Sequence, residues 1–98
     1  MDYIKMGKIM QTQEEANPKK HKVFLTDSLE ALENKEFLGG ADSYQEACLA
    51  INEGVATRGL HQEPYWRVLL AKDATYIDFG SWSKFAAIVP PVDMKELT

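Results

Sequence analysis

Residues Tyr65–Trp82 read YWRVLLAKDATYIDFGSW, and this stretch decides the fold. It holds both tryptophans of the chain, together with tyrosines, a phenylalanine and several large aliphatic residues. Two runs rich in aromatic and branched residues flank the polar pair Lys72-Asp73, which is typical of a β-hairpin. The stretch therefore predicts two antiparallel strands joined by a short loop.

The polarity of the side chains predicts the register of this hairpin. With a loop of two or four residues, even-numbered positions of the first strand share a face with odd-numbered positions of the second. The apolar face then consists of Trp66, Val68, Leu70, Ile77 and Phe79. The amphipathic face consists of Tyr65, Arg67, Leu69, Tyr76 and Asp78. In the tightest register Arg67 lies opposite Asp78, and this opposite-charge pair favours the alignment.

Length and composition favour a single domain in a reducing compartment. The chain has 98 residues, 45% of them hydrophobic, which suffices for one core. Its single cysteine cannot form an intramolecular disulfide. No apolar run approaches the roughly 20 residues of a spanning helix, and the N-terminus lacks the apolar core of a signal peptide. We therefore expect a cytoplasmic protein without a membrane association.

The net charge of −4 is unevenly distributed along the sequence. Residues 1–26 carry +2, residues 27–63 carry eight acids and two bases, and residues 64–98 carry four of each. The acidic middle is typical of a solvated helical surface. General nucleic-acid binding usually requires a basic field, which this composition does not provide.

The remaining sequence predicts a flexible leader over residues 1–20, one α+β domain over residues 21–90 and a polar, fraying tail over residues 91–98. A first strand is expected from His21 to Asp27. A short helix should follow, with Leu29, Leu32 and Phe37 on its inner side and Gly39-Gly40 at its end. A strand over Glu36–Gly39 is the alternative.

The main helix should begin at Ser43, which forms a capping box with Glu46, and end near Gly59. Its apolar stripe is formed by Tyr44, Ala47, Cys48, Ile51, Val55 and Arg58. Residues 84–89 fit either a short helix or a strand, and the strand is preferred because it widens the sheet. The predicted architecture is a small two-layer α+β domain of order β-α-α-β-β-β. A mostly antiparallel sheet of three or four strands packs its apolar hairpin face on the main helix.

Few residues suggest a chemistry. His21, His61 and Glu63 are a weak metal or enzyme site, because they lack the tight spacing of known ligand motifs. Cys48 lies on the apolar stripe of the helix and is expected in the core rather than as a nucleophile. We therefore expect no enzyme, no metal, no cofactor and no small-molecule substrate.

The amphipathic face of the hairpin is the strongest candidate for function. Tyrosine, tryptophan and arginine are enriched at interface hot spots, which favours a small protein-interaction or accessory domain, with a homodimer as one form. The predicted interaction residues are Tyr65, Arg67, Leu69, Tyr76 and Trp82, although Trp82 is more readily explained as a lid on the core. Single-stranded nucleic-acid contact through Tyr65, Arg67 and Tyr76 is the alternative. The small size also fits an accessory protein of a bacterium or a mobile element.

Overall fold

A computed structural model describes residues 17–97, so most of the predicted leader lies outside the described residues. Five strands form one sheet of order β2-β1-β5-β4-β3, in which every neighbouring pair is antiparallel. The elements are β1 (His21–Thr26), β2 (Glu36–Ala41), α1 (Tyr44–Thr57), β3 (Arg67–Leu70), β4 (Thr75–Asp78), β5 (Phe85–Val89) and a 3-10 helix (Met94–Leu97).

The predicted α+β class is confirmed, and the strand count is corrected to five. The strand preferred for residues 84–89 is confirmed as β5, which is the central strand of the sheet and pairs with both β1 and β4. Ala86 and Ala87 are fully buried there, one on each face, so their small side chains let both covering layers approach the sheet closely. The element order is therefore β-β-α-β-β-β.

The short helix predicted after β1 is wrong, because this segment is a closed loop. The Asp27 N–H donates to the Glu33 carbonyl at 3.0 Å, and the Glu33 N–H donates to the Thr26 hydroxyl at 3.0 Å. Asn34 adopts a positive φ of 49°, which an uninterrupted right-handed helix does not allow. These local hydrogen bonds replace the helical ones and return the chain to pair with β1.

Gly39 and Gly40 lie inside β2 rather than at the end of a helix. The register between β1 and β2 shifts beside Val23, so that Leu38 is an extra residue on the β2 side. Gly39 has a backbone φ of 154°, which residues other than glycine rarely adopt. The alternative prediction of a strand at this position is thus confirmed, and the strand contains a bulge.

The main helix begins where its capping serine predicts. The Ser43 Oγ accepts a hydrogen bond from the Glu46 N–H at 3.2 Å, which is half of the predicted capping box. The Glu46 carboxylate accepts from the Asp42 N–H instead of the Ser43 N–H. Gly59 follows the helix with a φ of 63°, as expected for the left-handed residue that ends a helix.

Helix α1 covers only part of one sheet face. It packs mainly against β2 and β1 and also shares a core with part of the apolar hairpin face, so the prediction that it lies on that face is confirmed only in part. Ile77 and Phe79 reach the core below the helix, whereas Trp66 and Val68 are partly buried beside it and Leu70 is exposed. The buried core of this face consists of Val23, Leu25, Ala41, Ala47, Ile51, Val55, Ile77, Phe79, Ala86, Ile88 and Val92.

The opposite face of the sheet has a second, smaller core. Ala74, Tyr76 and Ala87 are fully buried there, and Leu29 and Leu32 of the loop between β1 and β2 pack against them. The loop that stands in place of the predicted helix therefore also covers apolar residues of the sheet. It places its two leucines over the centre of the sheet and removes apolar surface from water.

The residues after Pro90 were expected to fray, but those that the structure describes pack against the domain. The Val92 N–H donates to the Thr75 hydroxyl at 3.0 Å, and the Val92 side chain is buried. The Glu96 carboxylate accepts from the Tyr44 N–H at 3.0 Å, so it satisfies a free donor of the first helical turn. Within residues 17–97, no helix has the length and apolar character needed to cross a membrane.

Tyr76 provides a test of the second core. We expect Tyr76→Ala to lower the free energy of unfolding by about 4 kcal/mol, because it empties a fully buried aromatic site. Tyr76→Phe keeps the ring and removes only the hydrogen bond that the hydroxyl donates to Asp73, so its cost should be about 1 kcal/mol. Urea denaturation of both variants measures the difference, and equal costs would contradict the burial.

Candidate protein-interaction surface

The hairpin forms with the predicted alignment. Arg67 pairs with Asp78, Val68 with Ile77, Leu69 with Tyr76 and Leu70 with Thr75. The Ala71 N–H donates to the Ala74 carbonyl at 3.1 Å, which leaves Lys72 and Asp73 at the tip. The two predicted faces are therefore confirmed as sets of residues, since pairing partners share a face.

The amphipathic face divides into a buried and an exposed part. Tyr76 is fully buried beneath the loop leucines, so it is not available for a contact on the surface. Burial, with the hydrogen bond to Asp73, raises the pKa of Tyr76 to about 12. Leu69 on the neighbouring strand β3 is 40% exposed. Tyr65, which lies in the segment before β3, is 45% exposed. The candidate surface thus lies on the outermost strand and not across the whole hairpin.

An ion pair holds the start of β3 to β4. The Arg67 guanidinium contacts the Asp78 carboxylate at 2.6 Å, and Asp78 also accepts from the Gly80 N–H at 3.0 Å. Burial tends to raise the pKa of Asp78, but the hydrogen bonds from Arg67 and Gly80 outweigh it and hold this pKa below 3.8. The hydrogen bond to Asp78 in turn raises the pKa of Arg67. The Arg67 side chain stays largely exposed and passes within 5.9 Å of the Tyr65 ring.

Trp82 does not cover the edge of the core, although its large side chain favoured that interpretation. Its side chain is 84% exposed, and one face of the indole stacks on the His61 ring with centroids 4.3 Å apart and an interplanar angle of 15°. The His61 Nε2 lies 2.8 Å from the Glu63 Oε1. The lid interpretation is therefore wrong, and the other face of the indole is free to meet a partner.

Gly80 allows this arrangement of Trp82. A Cβ atom at Gly80 would lie 2.4 Å from the Glu63 Cβ, and Gly80 has a φ of 87°. The Glu63 N–H donates to the neighbouring Phe79 carbonyl at 3.1 Å. The loop that carries His61 can therefore approach the turn that carries Trp82 only because position 80 has no side chain.

Among the strands of residues 17–97, β3 lies at an edge of the sheet and pairs only with β4. Leu70 is 47% exposed on its apolar face, although the sequence assigned this residue to the face covered by the helix. Its exposure makes Leu70 a candidate contact residue that the sequence did not suggest, because no local pattern distinguishes an edge strand from an inner one here. We call Tyr65, Arg67, Leu69, Leu70 and Trp82 the hairpin surface.

The residues considered for chemistry have other roles in the described structure. The His21 ring is buried and its Nδ1 lies 2.6 Å from the Pro90 carbonyl, whereas His61 stacks on Trp82. Burial raises the pKa of Cys48, which keeps its thiol protonated. Between residues 17 and 97, no group of three or more histidine, cysteine or acidic side chains could hold a metal ion.

The exposure of Trp82 can be tested by mutation. We expect Trp82→Ala to change the free energy of unfolding by less than about 0.5 kcal/mol, because the side chain contributes little to the core. Trp66→Ala is the matched comparison. Its indole packs beside the core and donates to the Tyr44 hydroxyl at 2.8 Å, so the loss should be about 3 kcal/mol. Thermal and urea unfolding measure both, and a large loss in Trp82→Ala would restore the lid.

The Asp78 ion pair predicts a pH dependence. Because the folded pKa lies below the ordinary value of 3.8, the stabilisation is complete above that value and is lost as pH falls through the lower folded pKa. We expect Asp78→Ala to cost about 2 kcal/mol near neutral pH and progressively less as the pH falls below the ordinary value of 3.8. Urea denaturation across this range measures the effect. Glu53→Ala, on an exposed helix position, is the control, and a cost for Asp78→Ala that is independent of pH would contradict the ion pair.

Comparison of the chain with protein-family models, with curated proteins and with solved structures finds no match. The geometry of the hairpin surface is therefore the basis on which a function can be assigned.

Proposed function

We propose that this protein is a small, non-catalytic interaction domain that contacts a protein partner through the hairpin surface. One observation carries the proposal. Among residues 17–97, the edge strand β3 leaves Leu69 and Leu70 exposed on its two faces, and Tyr65 just before this strand is exposed as well. Large apolar side chains exposed along one edge strand favour an interaction site, and the exposed indole of Trp82 follows in the same hairpin stretch.

The chemistry of the hairpin surface also suits a protein partner. Trp82 and Tyr65 offer large rigid rings, and Arg67 adds a guanidinium already oriented by Asp78. These three residue types dominate interface hot spots, because they bury much area and lose little conformational freedom. A pre-oriented arginine also reduces the entropy that binding costs. A cytoplasmic location suits a chain with a single cysteine.

Single-stranded nucleic acid is the less favoured ligand for the same surface. Of the residues that suggested it, Tyr76 is buried and Arg67 is paired with Asp78. Stacking platforms for nucleic acid require accessible rings beside unpaired basic groups. The net charge of −4 adds a general repulsion for a phosphate backbone.

The proposal can be tested by capture from cells that naturally make the protein. The full chain would be tagged and a photo-crosslinking residue placed at Ser83, which is exposed beside Trp82 and lies outside the hairpin surface. We expect a protein to be captured by this chain, and at least about tenfold less of it when the chain also carries Leu69→Asp, since a charge at the centre of a contact is strongly unfavourable.

Leu49→Asp is the matched control, because Leu49 is equally apolar and more exposed but lies on α1. It should capture as much protein as the unchanged chain. Equal capture by both aspartate variants would overturn the proposal. Recovery of single-stranded nucleic acid that depends on salt and is lost in Arg67→Ala would replace it with the nucleic-acid function.

A further inference from the structure

The two edges of the sheet are built differently. At the β2 edge, a Cβ atom on Gly40 would lie 2.1 Å from the Asn17 side chain and 2.8 Å from that of Lys19, so these two residues lie against this strand. The bulge beside Gly39 also distorts this edge, and both features are known to hinder the addition of another strand. β3 pairs with β4 in an unbroken register and contains no proline. Its one charged residue, Arg67, is held by Asp78 on the neighbouring strand.

The backbone of β3 has groups directed away from the sheet. In an antiparallel pair, alternate residues point their N–H and C=O groups at the partner strand and the residues between them point outward. The hydrogen bond from the Ala71 N–H to the Ala74 carbonyl sets this alternation, so Arg67 and Leu69 point toward β4. Val68 and Leu70 therefore direct their backbone groups away from β4, toward the side of β3 where residues 17–97 place no further strand.

We propose that the β3 edge binds the β3 edge of a second copy of this chain, antiparallel and about a two-fold axis at Val68. The two five-stranded sheets then form one continuous sheet of ten strands. This inference rests on the proposed function, because it names a second copy as a partner of the hairpin surface.

The outward backbone groups select this register. Val68 pairs with Val68 of the second copy, and Trp66 pairs with Leu70 of the second copy on either side of the axis. This alignment engages both outward residues of β3, Val68 and Leu70, together with Trp66 just before the strand, whereas a shift of one residue opposes outward groups with inward ones. It also places the exposed Leu70 side chain against an indole, and Leu69 against the aliphatic part of Arg67.

The charge distribution favours a second copy at this edge. β3 lies in the segment 64–98, whose four acids and four bases cancel, and the open edge faces away from β2. Residues 27–63, with eight acids and two bases, include β2 and α1. Two copies that meet at β3 therefore keep their acidic segments apart, whereas two copies that meet at β2 bring them together. Because β3 has only four residues, the interface belongs to the small, transient class.

The decisive experiment measures the mass of the purified full chain by sedimentation velocity from about 10 μM to about 1 mM, since association follows mass action. We expect the mass to rise from that of one chain toward that of two. Leu70→Pro removes an outward N–H and no bond to β4, so it should shift the midpoint of association at least about tenfold to higher concentration. Leu70→Ala keeps the N–H and should shift the midpoint less.

Amide hydrogen exchange gives a second readout that needs no variant. The Val68 and Leu70 amides should gain protection as concentration rises, whereas the Arg67 and Leu69 amides, bonded to β4, should be protected throughout. A single-chain mass over the whole range, or association that Leu70→Pro leaves unchanged, overturns the second copy. The proposed function fails separately, when the capture of protein does not depend on Leu69.

Discussion

The sheet is wider than the helix and the loop that pack on its two faces, and the rest of the structure depends on this difference. Five strands at their usual spacing span about 19 Å between the outer strand axes, whereas one helix with its side chains is about 10 Å wide. Helix α1 therefore covers β2 and β1 and reaches only the margin of the hairpin. On the other face, two loop leucines cover the centre of the sheet. Neither layer extends fully over β3, where Val68 is partly buried but Leu69 and Leu70 stay exposed. These exposed side chains follow from that geometry rather than from an unusual composition.

Local features of the chain could be predicted from the sequence with good accuracy. The hairpin register follows from the sequence because one alignment separates an apolar face from an amphipathic face and places Arg67 opposite Asp78. Successive side chains of a strand point to opposite faces, so a short loop between the strands is enough to fix this alignment. The start of α1 follows from Ser43, since a capping side chain bonds to the backbone three residues later. These features depend on neighbours within a few residues.

Features that depend on distant segments could not be predicted in this way. Tyr76 and Leu69 are pairing partners on one face of the hairpin, so the sequence pattern does not distinguish them. Tyr76 is nevertheless fully buried and Leu69 is exposed, because Leu29 and Leu32 reach only as far as β4. Leu29 and Leu32 themselves have helical spacing, but the Thr26 hydroxyl offers hydrogen bonds that close a loop instead. Of the five predicted contact residues, Tyr76 is buried, whereas the side chains of Tyr65, Arg67, Leu69 and Trp82 are exposed and remain candidates. The exposure of Leu70 was not predicted.

The position of β5 has a consequence for how the chain folds as it is synthesised. β1 and β2 form one hairpin and β3 and β4 another, and β5 is the strand that joins them, although it is the last of the five in the chain. Until residues 85–89 leave the ribosome, the other four strands that the structure describes form two hairpins that do not pair with each other, and each alone is marginally stable. The sheet therefore completes after synthesis of its final strand, through contacts between β1 and β5 that span some 60 residues. During that interval the edges of β1 and β4, which later become the centre of the sheet, are open to any extended chain nearby.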